Sequence, residues 1–416
     1  MNYPLFVARR LRLTSKKGRG TPPGIIIAVT GIALALVIMM LAISIVLGFK
    51  NEIKQKVMGF DAHVSILPAS YDGDEPNPFL EITPQLTDII NSVDGIESSS
   101  LTIVQSAILK TDNDFEGIII KGVPDDKSRE FINDHIIEGA PSDYSNPECA
   151  NDVSMSRITA NLLNVGVGDK VYAYFFTDGI IKPRRLRIAS IYDTHFSDYD
   201  KNYIFSSLAL LQSVNGVDSV AGNRLQLTVN DIDHIDEKAM DLQNAMIEAS
   251  YKGNLPGVYR LSTVTESGMM YFNWLELLDT NVVVIIILMI LVSGFTLVSS
   301  LFIIILERIN LIGVFKALGA TNSEIRRIFI YLGQKLVLWG MIIGNVIGLG
   351  VLLLQDRFHF LPLDPEAYYL NYVPVEINWI YLLLLNVGVF VVAWVMILLP
   401  CHIVASIKPS QSIRYE

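Results

Sequence analysis

One short stretch carries the densest set of potential ligands. His195-Phe196-Ser197-Asp198-Tyr199-Asp200 places an imidazole and two carboxylates within six positions. A cation held there would need further converging ligands. No fuller ligand set follows, so a polar turn is the better reading. The six histidines are scattered, and neither a zinc-type Cys/His spacing nor an H-E-x-x-H pair occurs. No G-x-x-x-x-G-K-[ST] run is present to cradle nucleotide phosphates with backbone N–H groups. The expectation is a chain with no catalytic residue, no metal and no cofactor of its own. If ATP and Mg drive it, another polypeptide must hold them.

Charge recognition is written elsewhere, at Lys182-Pro183-Arg184-Arg185-Leu186-Arg187. Between positions 50 and 275 there are 33 Asp and Glu against 18 Lys and Arg, and four of those 18 fall within these six positions. A strand-like run at 170–176 and the turn Asp178-Gly179 precede it, which predicts a hairpin with an extended tip. Two readings stand. One is a docking hairpin for an acidic partner or a lipid headgroup. The other is an edge strand charged against aggregation.

A third constellation is mechanical. In residues 306–335 a first helix is expected from about 307 to 318, with Leu311, Phe315 and Leu318 on one face. Gly319 stands where a left-handed residue would end it. A second helix is expected from Thr321, with Glu324 three residues on in a capping-box pattern. A short amphipathic helix tied to two longer ones presents an apolar ridge to a soluble partner, and a push on it moves both. A passive interfacial helix is the plainer alternative.

What positions these elements is a set of four apolar stretches: 24–48, then a gap of about 230 residues, then 280–306, 331–354 and 379–399. Each reaches the ~20 residues a helix needs to cross ~30 Å of hydrocarbon. None holds a charge except Lys335, at the start of the third, where it can snorkel. The N-terminal tail, residues 1–23, has Arg9, Arg10, Arg12, Lys16, Lys17 and Arg19 and no acid. The 307–330 region is basic as well, whereas 355–378 has Arg357 against Asp356, Asp364, Glu366 and Glu376. The positive-inside rule puts both termini and 307–330 in the cytoplasm, with 49–279 and 355–378 on the other side. The first stretch is too long for a signal-peptide core and reads as an uncleaved anchor. Cys149 and Cys401 then lie in the external domain and at the inner membrane face, so they cannot pair. The acidic external domain argues against nucleic-acid binding, and the basic tail suits anionic headgroups.

The expected fold is an α-helical membrane domain of four transmembrane helices, one and then three. A large α+β domain is inserted between the first and second. Within it, 63–67, 101–110, 117–123, 170–176, 185–192 and 224–229 read as strands. Segments 84–93, 154–163, 208–214 and 235–249 have helical spacing, and the order suggests two interleaved subdomains. The third span carries Gly340, Gly344 and Gly348 at four-residue spacing, with Gly350 beyond. That ridge permits close approach to another span or to a second protomer.

Glu307-Arg308, Ile312-Gly313, Phe315-Lys316-Ala317-Leu318-Gly319-Ala320-Thr321 and Ile325-Arg326-Arg327-Ile328-Phe329 closely resemble the FtsX-like (type VII) permease domain of ABC transporters. Lys408-Pro409 with Ile413-Arg414-Tyr415-Glu416 matches the way such chains end. Phe6-Val7-Ala8-Arg9-Arg10, Gly48-Phe49, Leu361-Pro362-Leu363, Tyr368-Tyr369-Leu370 and Val373-Pro374-Val375-Glu376 resemble the lipoprotein-releasing permeases. Val167-Gly168-Asp169-Lys170-Val171 looks like the family's periplasmic core domain. The resemblance implies a permease subunit of a Gram-negative inner membrane, not itself an enzyme, working as a dimer with an identical or paralogous second permease and a separate ABC ATPase. It further implies lipoprotein cargo taken from the outer leaflet and passed to a periplasmic lipoprotein chaperone. By position, Lys182, Pro183, Arg184 and Arg185 would form the chaperone-docking hairpin. Glu307, Arg308, Leu311, Phe315, Lys316, Leu318 and Gly319 would couple to the ATPase. Met39, Met40, Ile43, Leu47, Val284 and Phe295 are the expected cargo-cavity residues. Two alternatives stand: a mechanotransmission permease for other cargo, and a regulator of a cell-wall enzyme.

Overall fold

The computed structural model describes residues 23–69, 79–112, 114–124, 129–144, 146–177, 179–255 and 257–405. The N-terminal motif at 6–10, the basic tail and the Lys408–Glu416 ending fall outside them. The described residues form two compact units: one within 23–50, 274–362 and 372–405, the other within 51–273 and 363–371.

Four long helices make up most of the first unit: α1 (Pro23–Phe60), α2 (Met269–Glu307), α3 (Asn322–Phe358) and α4 (Trp379–Ala405), with residues 51–60 of α1 and 269–273 of α2 belonging to the second. All four contain a segment long and apolar enough to cross a membrane. The first three have 38, 39 and 37 residues, well beyond their apolar stretches. Hydropathy changes where the sequence turns polar, but the i to i−4 ladder does not stop there. Residues 49–60 contain no proline and keep it going.

The glycine ridge of α3 faces α1 of the same chain. A Cβ at Gly340 would lie 2.9 Å from Ile32 Cβ, at Gly344 3.0 Å from the Ala33 carbonyl oxygen, and at Gly348 3.0 Å from Met40 Sδ. Only hydrogen at these positions lets the two backbones come so near, which gains dispersion contact where lipid offers no hydrophobic contrast. Polar contact joins α3 to α4. The side-chain amides of Asn345 and Asn386 exchange hydrogen bonds of 2.7 and 3.0 Å, and each also donates to its own helix at Met341 O or Leu382 O. Amides left unpaired in hydrocarbon would be costly, so each finds partners within the chain.

The second unit contains β1 (Val64–Ala69), β2 (Leu80–Glu81), β3 (Ile96–Lys110), β4 (Phe115–Val123), β5 (Ile136–Gly139), β6 (Asp152–Ser156), β7 (Lys170–Thr177), β8 (Ile180–Tyr192), β9 (Tyr203–Ser207), β10 (Ala221–Gly222), β11 (Arg224–Val229) and β12 (Val258–Thr263). Ten of these form one sheet. The 15-residue β3 is shared. Its first half pairs with β11, and its second half pairs with β4 and β7. The pairings β3–β4–β9–β6–β8–β7 return to β3, so these six strands close into a barrel. Inward residues such as Leu109, Ile120, Val153, Met155, Phe175, Leu186 and Ile204 fill it. Closure removes most of the unpaired edge that an open sheet would leave. Strands β11, β1 and β12 extend from the first half of β3, and helix Ile235–Tyr251 packs on β12.

Two local expectations change. The 154–163 segment is not one helix: it begins in β6, and the helix Arg157–Leu163 starts where the Ser156 side chain accepts from Thr159 N–H. Val153 and Met155 are needed inside the barrel, and that demand outweighs helical spacing. Strand β8 begins at Ile180 rather than 185, because a tight turn carries its ladder to the tip.

Candidate functional sites

Between α2 and α3 the chain makes a nine-residue helix, Ile309–Ala317. Its junction with α3 is locally determined, whereas at the α2 end Arg308 begins it without a side-chain cap bond. Gly319 adopts φ +94°, a left-handed conformation that costs glycine little, and Ala320 N–H donates to Phe315 O at 2.9 Å. Two residues later the Thr321 hydroxyl accepts from Glu324 N–H while Glu324 Oε2 accepts from Thr321 N–H at 2.8 Å. This reciprocal cap satisfies two donors at the start of α3 and joins it stiffly to the segment before it.

The ridge this helix shows differs from the expected one. Ile312 and Gly313 are buried, and Leu311 and Phe315 are half-buried beside them. Val314 and Leu318, four apart, are 52% and 80% exposed, with Glu307 exposed as well. The helix carries two apolar stripes, and packing against its own chain takes the one containing Ile312. Spacing alone does not rank them. Arg308 and Lys316 lie at intermediate exposure on the same segment.

The hairpin of β7 and β8 has a different shape from the expected extended tip. The ladder runs out to Thr177 and Ile180, with Gly179 at φ +73° and Asp178 outside the described residues, and Lys182, Pro183, Arg184 and Arg185 pair with Phe175, Tyr174, Ala173 and Tyr172 inside it. Strand alternation splits the basic run between two faces. Lys182 reaches across to donate to Val214 O at 2.8 Å. Arg187 makes a two-pronged bond to Asp152, Nε to Oδ1 at 2.7 Å and Nη2 to Oδ2 at 2.6 Å, which raises its already high pKa further. Pro183 is tolerated because β6 and β5 join β8 only from Arg187 onward, leaving 180–186 a free edge.

Sequence reasoning missed the apolar residues around that hairpin. Tyr172, Phe176, Ile180 and Ile181 are exposed, as are Ile108 on β3 and Phe115 on β4. The signal was present in β7: Val171, Ala173 and Phe175 point into the barrel while Tyr172, Tyr174 and Phe176 alternate with them. A strand apolar on both faces has two surfaces to cover.

The expected cavity residues fall into two groups. Met39 and Met40 are fully buried among Leu36, Leu352, Leu382 and Leu385, and line no open surface of this chain. The long unbranched side chain of Met40 fills the space beside Gly348. Ile43 and Leu47 are half-buried, and Val284 and Phe295 are 49% and 69% exposed on α2. Only 11% of the most apolar window of α2 is buried within the chain, against 50% for α1.

The polar turn satisfies itself. Asp200 is 1% exposed, and its carboxylate accepts from Thr194 Oγ1 at 2.7 Å and Thr194 N–H at 3.1 Å. Burial nonetheless pushes its pKa up to about 6. His195, at φ +57°, donates its backbone N–H to Asp193, and burial lowers its imidazole pKa. Among the described residues no three His, Cys, Asp or Glu converge as a metal site. Cys149 and Cys401 are both free thiols.

The helices on either side of Ile309–Ala317, together with α4, match a family model. Residues 283–409 match the family model described as FtsX-like permease C-terminal, and they form an FtsX-like permease domain. Over 434 residues, all of both chains, the protein is 23% identical to the lipoprotein-releasing system transmembrane protein LolC of Xylella fastidiosa strain 9a5c. It is also 23% identical over 435 residues, 99% of each chain, to the lipoprotein-releasing system transmembrane protein LolE of Haemophilus influenzae. A structural likeness to the periplasmic region of MacB from Actinobacillus actinomycetemcomitans covers 53% of this chain and 97% of that one. At 11% identity and a TM-score of 0.34 it carries no argument.

Proposed function

We propose that this chain, with its FtsX-like permease domain, is the membrane subunit of an ABC machine that extracts lipid-anchored proteins from a Gram-negative inner membrane. The observation that carries the reading is the Val314–Leu318 ridge, exposed along and just past a short helix that follows α2 directly at Arg308 and meets α3 through the Gly319 and Thr321 breaks. It is a handle by which a separate ATPase, holding ATP and Mg, moves membrane helices. The full-length likeness to lipoprotein-releasing relatives supplies the cargo class.

The physical task suits such parts. Each CH₂ drawn from hydrocarbon costs about 0.8 kcal/mol, so an acylated anchor needs both an outside energy source and an apolar receiver. The exposed outer face of α2, with Val284 and Phe295, is the receiving surface or the seat of a second permease. The β7–β8 hairpin, with its exposed aromatic residues and Arg185, is the docking place for a soluble carrier on the far side. In this reading both termini lie in the cytoplasm and the β-rich unit in the periplasm.

The test is purification in mild detergent followed by reconstitution with acylated protein. An ATPase should co-purify, and ATP should release the acylated protein to a soluble carrier. An ATPase-bearing complex that leaves acylated proteins in the bilayer would favour a mechanotransmission role for other cargo. Replacing Lys182, Arg184 and Arg185 with Glu should weaken carrier capture about tenfold or more if the hairpin docks it. Unchanged capture would leave those charges the task of guarding a free strand edge.

A further inference from the structure

The turn first considered for a metal has another use of its acids. Asp198 Oδ2 accepts two phenol hydroxyls, from Tyr271 at 2.8 Å and Tyr369 at 2.9 Å. Tyr271 stands in the first turn of α2, and Tyr369 in the connection between α3 and α4. The Tyr369 carbonyl accepts from Lys56 Nζ at 2.7 Å, and the same ammonium donates to Thr194 O at 2.6 Å. Lys56 belongs to the last turns of α1 and is 8% exposed. Phe196 meets the rings of Tyr271 and Tyr369 edge-on, each with centroids 5.0 Å away. Phe60, the last residue of α1, packs on Phe196 and Tyr199.

Segments continuous with α1, with α2 and with the α3–α4 connection thus end on one turn of the β-rich unit. Tyr369 is held at φ +60°, a region unfavourable for an aromatic residue, which persists only where surrounding contacts over-determine it. A connection whose sole task was to span from α3 to α4 would need none of these bonds.

We propose that Asp198, Tyr271 and Tyr369 form a clasp that delivers the motion of these segments to the β-rich unit as one movement. They are positioning residues for energy coupling. The purpose assigned to the clasp rests on the permease reading above, but its existence as a rigid joint does not.

The experiment uses the full chain with its ATPase. Spin labels are placed on E366C, in the α3–α4 connection, and L162C, on the β-rich unit, in a background with Cys149 and Cys401 replaced by Ala. With the clasp intact, the distance distribution should be narrow and unchanged between ATP and ADP states. D198A and the milder Y369F should broaden it, and acylated protein released per ATP hydrolysed should fall about threefold or more. Distributions as narrow as wild type in both variants, or undiminished release per ATP, would overturn the clasp. If the unmutated complex releases no acylated protein, the cargo assignment fails, while the distance distributions still judge the joint.

Discussion

A carboxylate buried with a hydroxyl and one N–H behaves unlike one held by a cation. At Asp200 burial outweighs the two bonds from Thr194 and the nearby Lys56 charge, and the pKa moves from 3.8 to about 6. The folded chain therefore holds this proton more tightly than the unfolded chain. Its stabilising effect is full below 3.8 and is lost as pH rises to about 6, on the order of 2 kcal/mol over that window. Asp200→Asn should flatten this dependence. The unfolding midpoint of the full chain in detergent, read by circular dichroism at about pH 4.5 and 7.5, checks it. The wild type should lose more stability than the variant between the two, and equal losses would mean that Asp200 ionises freely. Sequence spacing could place this acid in a turn. It could not say that the turn would be covered, because Phe60, whose ring packs on Phe196 and Tyr199 of that turn, lies far earlier in the chain.

Among the elements, the segment between α2 and α3, proposed to meet the ATPase, was legible in its breaks and not in its orientation. Gly319 and the Thr321–Glu324 cap act over three residues, so their pattern is their structure. Which stripe of the helix turned outward depended on α2 and α3. The prediction follows the observed face. Leu318→Asp, at a position 80% exposed, should leave the chain folded while reducing recovery of the ATPase on an affinity-tagged chain about tenfold or more. Undiminished recovery would place the contact elsewhere. Ile312→Asp, at a buried position, should instead cost about 2–4 kcal/mol and reduce the amount of folded chain, read by detergent thermal melts. The hairpin shows the same division. Asp178-Gly179 marked the turn, yet the basic run became part of β8 because the ladder to β7 carried through it, and Arg187 was claimed by Asp152.

For the whole molecule, α2 is the least covered of the four membrane-length helices among the described residues. Val283, Val284, Ile287, Leu288, Leu291, Val292 and Phe295 are exposed along it. A second permease chain would cover part of this face. Single cysteines at Val284 or Phe295, in a cysteine-free background, should form covalent dimers on mild oxidation in membranes, while a cysteine at the buried Leu382 should not. Monomers from all three would exclude a second identical chain from that face and leave it to lipid or to a paralogous permease. The number and order of spans, the inserted β-rich segment and the two coupling breaks were determined by the sequence alone, because hydropathy, capping and glycine geometry act within one turn or one bilayer thickness. The closure of six strands through β3, the turning of the α3 glycines toward α1, the burial of Met39 and Met40, and the meeting of Lys56, Asp198, Tyr271 and Tyr369 were decided only by tertiary structure. Each joins residues tens to hundreds of positions apart, and which apolar or polar face meets which is set by the partner rather than by local spacing.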